Sequence, residues 1–192
     1  MIMTDNMAAH IKQVTAALHQ QLEQSPVSAG LMSPAVTQAH YICYLQASYL
    51  LHSAVENDAF PQLAHLVADI EQRRKTAAIA ADLVQLGAAP PQLAGGDVPH
   101  SKSTSFWLGA MYVTEGSTLG GMYIMKHLRA TLGSHMPFSF LDIYNHQAGT
   151  RWKHFLTIFN SYADTINNEG RDEITAGAMY AFEKANRIFS QQ

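Results

Sequence analysis

The segment Ser105–Arg129 constrains the fold most, because it is a long and nearly uncharged stretch that is interrupted near its centre by Gly116, Gly120 and Gly121. Its pattern predicts a helix, in which each glycine costs about 0.5–1 kcal/mol relative to alanine. Gly116, Gly120 and Gly121 therefore need a reason, such as close approach of another helix or of a ligand, or a kink. Gly116 and Gly120 lie one helical turn apart, so they share a face without side chains against which a flat group could lie.

Composition narrows the class of protein. A chain of 192 residues with 47% hydrophobic and 14% charged residues is expected to form one domain over residues 1–192 around a large core. The net charge of −3 and the lack of a long basic run argue against nucleic acid or an anionic membrane surface as the main partner. The single cysteine, Cys43, excludes an internal disulfide. Because the N-terminus shows no secretory signal, we expect a reducing, cytoplasmic location.

The same glycine-bearing stretch is also the one candidate for a membrane span. From Phe106 to Met125 it carries a single charge, Glu115, and Gly116 and Gly120 form a GxxxG pair. Polar residues fall in its middle, and an acidic residue at a bilayer centre costs about 2.5–3.5 kcal/mol. We therefore expect a buried core helix and no membrane span.

Apolar residues recur at helical spacing along the chain, and no alternating strand pattern or Asn-Gly hairpin turn is present. These features predict an all-α fold. Ser25-Pro26 is predicted to close the first helix, and Ser33 with Pro34 to open the second. The predicted helices are 8–24, 33–56, 61–86 with a break near Ile70, 103–132, 149–167 and 171–190, with a loop over 88–102.

Ten histidines raise the question of a metal site, but the chain has no HExxH and no Glu-x-x-His pair. His19 stands out because Glu23, four residues later, shares its helical face and could orient the imidazole. The alternative is a solvated His–Glu pair. Lys12, on the same stripe, and Arg151 and Lys153 on a later helix could meet an anionic ligand, or they could be ordinary surface cations.

Two motifs together resemble the haem oxygenase family: LHQQLE at 18–23 and YVTEGSTLGGMYI at 112–124. The resemblance covers nearly the whole chain and is greatest to the bacterial, biliverdin-producing branch, which includes members associated with bacteriophytochromes. It implies a single-domain, multi-helix haem oxygenase-like fold. It also implies oxidative opening of haem, which is substrate and cofactor, by O2 to biliverdin, Fe2+ and CO. A ferredoxin or a reductase would supply electrons, and a bacteriophytochrome is a candidate acceptor of biliverdin.

The resemblance also implies roles for individual residues. His19 would be the axial ligand of the haem iron, and Glu23 would orient it. The helix around Gly116, Gly120 and Gly121 would lie over the porphyrin, where bare backbone directs the iron-bound ligand toward one meso carbon.

The propionates and the proton supply involve further residues. Lys12 and Lys153, with Arg151, would meet the haem propionates. Protons would reach the site through ordered water. Tyr112 is expected to bind the cofactor and to contribute to this network.

Two positions depart from the family pattern. Many members carry an aspartate that anchors the distal water network, and Ser117 occupies that position here. Serine can donate and accept a hydrogen bond but offers no charge, so the network would be built differently, with Tyr112, Thr118 or His52. Thr157 stands where mammalian members place an arginine near a propionate, which leaves open how the propionates sit and which meso carbon is attacked.

Other functions remain open at this point. A non-catalytic haem-binding or storage protein could use the same sandwich of haem between two helices. A thiaminase-type hydrolase, which shares a related helical fold, would need Cys43 as nucleophile with a carboxylate nearby, but the apolar setting of Cys43 favours an inert thiol. A purely structural helical protein would not explain three glycines in a core helix.

Overall fold

The computed structural model describes residues 6–93 and 102–191, so part of the predicted loop over 88–102 lies outside the described residues. Within these ranges the chain is helical and contains no strand, which confirms the all-α prediction. The α-helices are α1 Met7–Val14, α2 Ala16–Glu23, α3 Pro26–Leu31, α4 Gln38–Leu63, α5 Thr76–Gln85, α6 Thr104–Gly116, α7 Thr118–Leu132, α8 Ala148–Ala163 and α9 Asn168–Ser190. Short 3-10 helices cover Ile70–Arg73 and Asn145–Gln147.

The N-terminal region is more divided than predicted. The prediction of a single helix over 8–24 was wrong, because the helix is interrupted at Thr15. The Thr15 hydroxyl donates to the Ile11 carbonyl at 2.7 Å. Ser25-Pro26 closes α2 as predicted, but it also begins α3. The Ser25 hydroxyl accepts a hydrogen bond from the Ser28 N–H at 3.3 Å, and Pro26 occupies the first helical position.

The start of α4 was also predicted wrongly, at Ser33 and Pro34. The helix begins at Gln38 with Thr37 as its N-cap, because Thr37 and His40 form a reciprocal capping box. It continues through Pro61 to its last residue, Leu63, so the predicted start of a new helix at Pro61 was wrong, whereas the predicted break near Ile70 is present. Residues 61–86 contain the end of α4, the first 3-10 helix and α5.

The glycine-bearing segment forms two helices joined by a kink. The N-cap of α6 is Ser103, at the start of the predicted helix over 103–132, and its hydroxyl accepts a hydrogen bond from the Phe106 N–H at 3.2 Å. The helix ends at Gly116, and α7 begins after Ser117. The last two helices also differ from prediction: α8 ends at Ala163, and α9 begins at Asn168 because the Asn167 side chain caps its first turn.

The centre of the core is the contact between α6 and α9. A Cβ atom on Gly109 would overlap the Ile174 carbonyl oxygen, and one on Gly177 would overlap the Phe106 carbonyl oxygen. The two helices therefore touch backbone to backbone, and α1, α4 and α8 pack around them. In agreement with the expected core position, α6 is buried along most of its length. None of the helices in the described ranges combines the length and hydropathy that a bilayer crossing requires.

Candidate functional site

His19 lies on α2 with its side chain 58% exposed. Its Nδ1 atom is 3.5 Å from a Glu23 carboxylate oxygen, and its ring packs edge-on against Phe182 of α9 at 5.8 Å between centroids. The Nε2 atom has no hydrogen-bonding partner among residues 6–93 and 102–191. The structure therefore places one nitrogen of the imidazole beside a carboxylate, as the i,i+4 spacing predicts, and leaves the other without a partner in these residues.

The three glycines of the kinked segment have three different surroundings. A Cβ atom on Gly120 would meet no heavy atom of the described residues within 4 Å, so this position is open toward them. A Cβ atom on Gly116 would lie 3.5 Å from the Trp152 ring. A Cβ atom on Gly121 would lie 2.7 Å from the Leu141 carbonyl oxygen. Gly121 therefore serves the packing of α7 on a neighbouring loop and lies apart from the face without side chains, which was predicted for Gly116 and Gly120.

The hydroxyl groups at the kink are both engaged with the backbone. The Ser117 hydroxyl donates to the Thr114 carbonyl at 2.8 Å, and the Thr118 hydroxyl donates to the Glu115 carbonyl at 2.7 Å. Each hydroxyl proton is thus used to satisfy a carbonyl near the end of α6. The oxygen lone pairs remain free to accept hydrogen bonds from water or from a ligand.

The three predicted anion-binding cations differ in their availability. Lys12 on α1 and Lys153 on α8 are exposed, and neither has an ion-pair partner in the described part of the chain. Arg151 is engaged: its Nη1 atom donates to Asp69 at 2.9 Å and to Gln72 at 3.3 Å. The structure therefore leaves the two lysines free for an anion and gives Arg151 a structural ion pair.

Tyr112 joins α6 to α1. Its hydroxyl donates to the Ala8 carbonyl at 3.4 Å, and its ring packs edge-on against Trp152 at 5.1 Å. Burial raises the pKa of the Tyr112 phenol. The hydroxyl that was expected to serve a cofactor or a proton network is thus engaged with the protein backbone.

A buried ion cluster lies next to the kink, and it was not predicted from the sequence. It consists of Arg73, Lys75, Glu115 and Tyr144. The Glu115 carboxylate is 1% exposed and accepts hydrogen bonds from Arg73 at 2.5 Å, from the Lys75 ammonium and from the Tyr144 hydroxyl at 3.1 Å. Burial and the Glu115 charge together raise the pKa of the Tyr144 phenol. Three donors therefore fix the residue that immediately precedes Gly116.

The ion cluster extends outward through Asp69. The Arg73 Nε atom donates to this carboxylate at 2.9 Å, and Arg151 holds its other oxygen. Partial burial favours the protonated acid, but Arg73, His154 and Arg151 outweigh it and hold the pKa of Asp69 below its usual value. Glu115 is the only charged residue from Phe106 to Met125, and an acid buried in such an apolar helix requires a buried cation beside it. The Arg-Arg-Lys run at 73–75 supplies it.

His52 on α4 is 2% exposed and packs edge-on against Phe140 at 5.4 Å. Burial, with a smaller contribution from the Lys75 charge, lowers the pKa of this histidine well below its usual value. His52 is therefore a neutral imidazole inside the protein at physiological pH.

No group of three or more His, Cys, Asp or Glu side chains within the described ranges could hold a bare metal ion. One open imidazole on α2 suits a metal that brings its remaining ligands with it, as a haem iron does. The bare surface at Gly120 suits a flat group, and the free lysines suit its carboxylates. The residues present thus fit haem. Cys43 is a half-buried free thiol on α4.

The sequence and the fold are similar to those of known proteins. The family model described as heme oxygenase matches residues 5–191. The haem oxygenase of Neisseria meningitidis, solved with NO and CO, superposes with a TM-score of 0.76 at 24% identity, covering 97% of this chain and 91% of the other. For the haem oxygenase of Leptospira interrogans the TM-score is 0.76 at 18% identity, with 97% and 100% covered. For haem oxygenase-1 of Synechocystis in complex with haem it is 0.73 at 14% identity, with 97% and 91% covered. No curated protein sequence matches.

Proposed function

This chain belongs to the haem oxygenase family, and we propose that it seats haem between α2 and the α6–α7 kink, with His19 as the axial ligand of the iron. Its function is the degradation of haem with O2, and the products of the family are biliverdin, Fe2+ and CO. Haem is both substrate and cofactor. Family membership favours this enzyme over a haem store, and over a hydrolase that would use Cys43.

Haem supplies the iron that activates O2 and the ring carbon that is oxidised, so the protein needs no nucleophile of its own. Its residues have to hold the porphyrin, orient the iron-bound ligand and move protons. Glu23 beside Nδ1 of His19 favours the tautomer in which Nδ1 carries the proton and Nε2 is free to bind the metal.

The contrast between Gly120 and Gly121 is the observation that carries this placement. Adjacent glycines on one helix have opposite surroundings: Gly121 is required by the Leu141 carbonyl, whereas no contact with residues 6–93 and 102–191 requires a glycine at position 120. Gly120 lies in the first turn of α7, where a glycine still costs part of the roughly 0.5–1 kcal/mol that it costs in a helix interior, and packing does not account for it. Close approach of α7 to a flat ligand does account for it.

Proton supply in this proposal goes through ordered water. Ser117 carries no charge, and its hydroxyl proton is held by a backbone carbonyl, so it contributes lone pairs to water molecules. The neutral, buried His52 is a second polar group on which such a network could end. The Tyr112 hydroxyl, bonded to the Ala8 carbonyl, is left out of the network.

The haem propionates are assigned to Lys12 and Lys153, because these lysines are exposed and free of ion pairs in the part of the chain that the structure describes. Arg151 is not assigned to a propionate, since binding there would break its contacts with Asp69 and Gln72. We further propose that a ferredoxin or a reductase supplies electrons in the cytoplasm. The single free thiol, Cys43, fits such a reducing compartment. A bacteriophytochrome as the acceptor of biliverdin stays a prediction.

Titration with hemin tests the assignment of His19. We expect the wild-type protein to bind hemin with the absorption spectrum of an axially ligated haem and to form biliverdin when ascorbate is added. His19→Ala should lose this spectrum and the turnover, and added imidazole should restore the spectrum. His10→Ala on the neighbouring α1 is the matched control and should behave as wild type. An unchanged spectrum in His19→Ala would remove the assignment.

A further inference from the structure

The helix that carries His19 is weakly held. No residue of α2 is fully buried, and Leu18 and Leu22 are only partly covered by the core. The helix has two turns, and the non-helical residue Thr15 separates it from α1. Its main neighbour is α9. The direction in which the His19 side chain points therefore depends on the contacts that α9 makes with α2.

Asn186 of α9 makes the one hydrogen bond that joins α2 to a distant element within the described residues. Its side-chain Nδ2 atom donates to the Leu18 carbonyl at 3.0 Å. Leu18 directly precedes His19, and the ring of His19 packs against Phe182, one helical turn before Asn186. Two side chains of α9 thus contact two consecutive residues of α2.

Burial of the Asn186 side chain lowers the stability of the folded protein. The residue is 6% exposed, and its Oδ1 atom is buried without a hydrogen-bonding partner in the part of the chain that the structure describes. Leaving a buried acceptor unpaired costs free energy, whereas an apolar residue of similar size would avoid that cost. Since α9 buries Ala185 and Phe189 on either side, an aliphatic residue would suit position 186 if packing were its only task.

We propose that Asn186 is a positioning residue for His19. The carboxamide fixes the rotation of α2 about its own axis, and Phe182 supports the imidazole ring, so that Nε2 points in one direction. This inference rests on the proposed function, because it concerns the ligation of the haem iron by His19. Residues that orient a metal ligand typically change metal affinity about 10- to 100-fold when they are replaced.

Asn186→Leu is the test, because leucine keeps the branch at Cγ and removes both amide groups. We expect the apoprotein to unfold at the same temperature as wild type or at a higher one, since the unpaired acceptor is gone. We expect the affinity for hemin to fall about tenfold or more. We also expect the iron–histidine stretching band of the ferrous haem complex to shift or broaden. That band reports ligation directly and does not depend on turnover.

Asn160→Leu is the matched control. The Asn160 Oδ1 atom accepts a hydrogen bond from the Ala8 N–H at 3.1 Å, so this asparagine joins α8 to α1 as Asn186 joins α9 to α2. Its replacement should lower the unfolding temperature and leave the iron–histidine band unchanged. If Asn186→Leu does not fold, Phe182→Leu removes the second contact and should shift the same band.

The outcomes separate this inference from the proposed function. If His19→Ala keeps the wild-type spectrum, the assignment of the axial ligand itself is wrong. If His19→Ala loses it while Asn186→Leu keeps wild-type affinity and a wild-type band, only the positioning role is overturned. The positioning role is also overturned if Asn160→Leu shifts the band as much as Asn186→Leu does.

Discussion

Gly120 and Gly121 are neighbours with different tasks, and substitution can separate them. In Gly121→Ala the new methyl group would lie 2.7 Å from a backbone carbonyl, which cannot move aside as a side chain does. We expect a loss of about 1–3 kcal/mol in the free energy of unfolding. Gly120→Ala meets no atom and should gain up to about 1 kcal/mol from helix propensity. Urea unfolding of the two apoproteins measures the difference.

The functional side of the same prediction uses a larger residue. Gly120→Phe should keep a wild-type circular dichroism spectrum, because the position is open, but should stop the conversion of haem to biliverdin by filling the space over α7. Gly121→Ala provides the comparison, because we expect this variant to lose folding stability before it loses turnover. Wild-type turnover by Gly120→Phe would contradict the role of this glycine in the haem site.

At the scale of elements, the buried ion cluster fixes the end of α6. In Glu115→Gln the charges of Arg73 and Lys75 lose the anion that they share inside the core. We expect a loss of about 3–5 kcal/mol in the free energy of unfolding, measured with urea, since an uncompensated buried charge is costly. Glu71→Gln is the control: it removes an exposed ion pair with Arg74 and should change stability little. Equal losses in the two variants would contradict the importance of the cluster.

His52 gives α4 a predictable response to acid. Burial lowers the pKa of His52 in the folded protein, so below about pH 6.5 the unfolded chain binds a proton that the folded protein does not. The stability that comes from the neutral imidazole is complete above that pH and falls by up to about 1.4 kcal/mol per unit as the pH decreases. His52→Gln should flatten this slope in urea unfolding between pH 7.5 and 5. His135→Gln, at an exposed position, should not.

Local chemistry predicted part of these elements. The i,i+4 spacing of His19 and Glu23 brings them within 3.5 Å, and the glycines mark the segment in which the kink falls. The start of α4 was misjudged because Ser33-Pro34 is a good start signal, whereas the helix uses a Thr37–His40 capping box in which histidine replaces the usual Glu or Gln.

The ion cluster was beyond local reasoning. Glu115 pairs with residues about forty positions earlier in the chain, and helical periodicity carries no information about such distant contacts. The engagement of Arg151 with Asp69 was missed for the same reason. A buried acid implies a partner, but only the folded chain identifies which of the nearby cations reaches it.

For the whole molecule, α6 and α9 link the two sides of the proposed haem site. The helix α9 carries the contacts to α2 and His19, and α6 leads directly into the kink and α7. Because Gly109 and Gly177 let these helices touch, this contact contributes to the separation between the His19 side and the Gly120 side. An increase in the distance between α6 and α9 would therefore alter both sides together.

Gly109→Ala and Gly177→Ala should each lower the free energy of unfolding by about 3 kcal/mol or more, because each methyl group would overlap a backbone carbonyl of the opposite helix. The double variant should cost less than the sum, since the first substitution already separates the helices and makes room for the second. Gly149→Ala, where a Cβ meets no atom within 4 Å, is the control and should be neutral or slightly stabilising. Strict additivity in urea unfolding would show that the two glycines act independently, and α6 and α9 would then not behave as a single rigid unit.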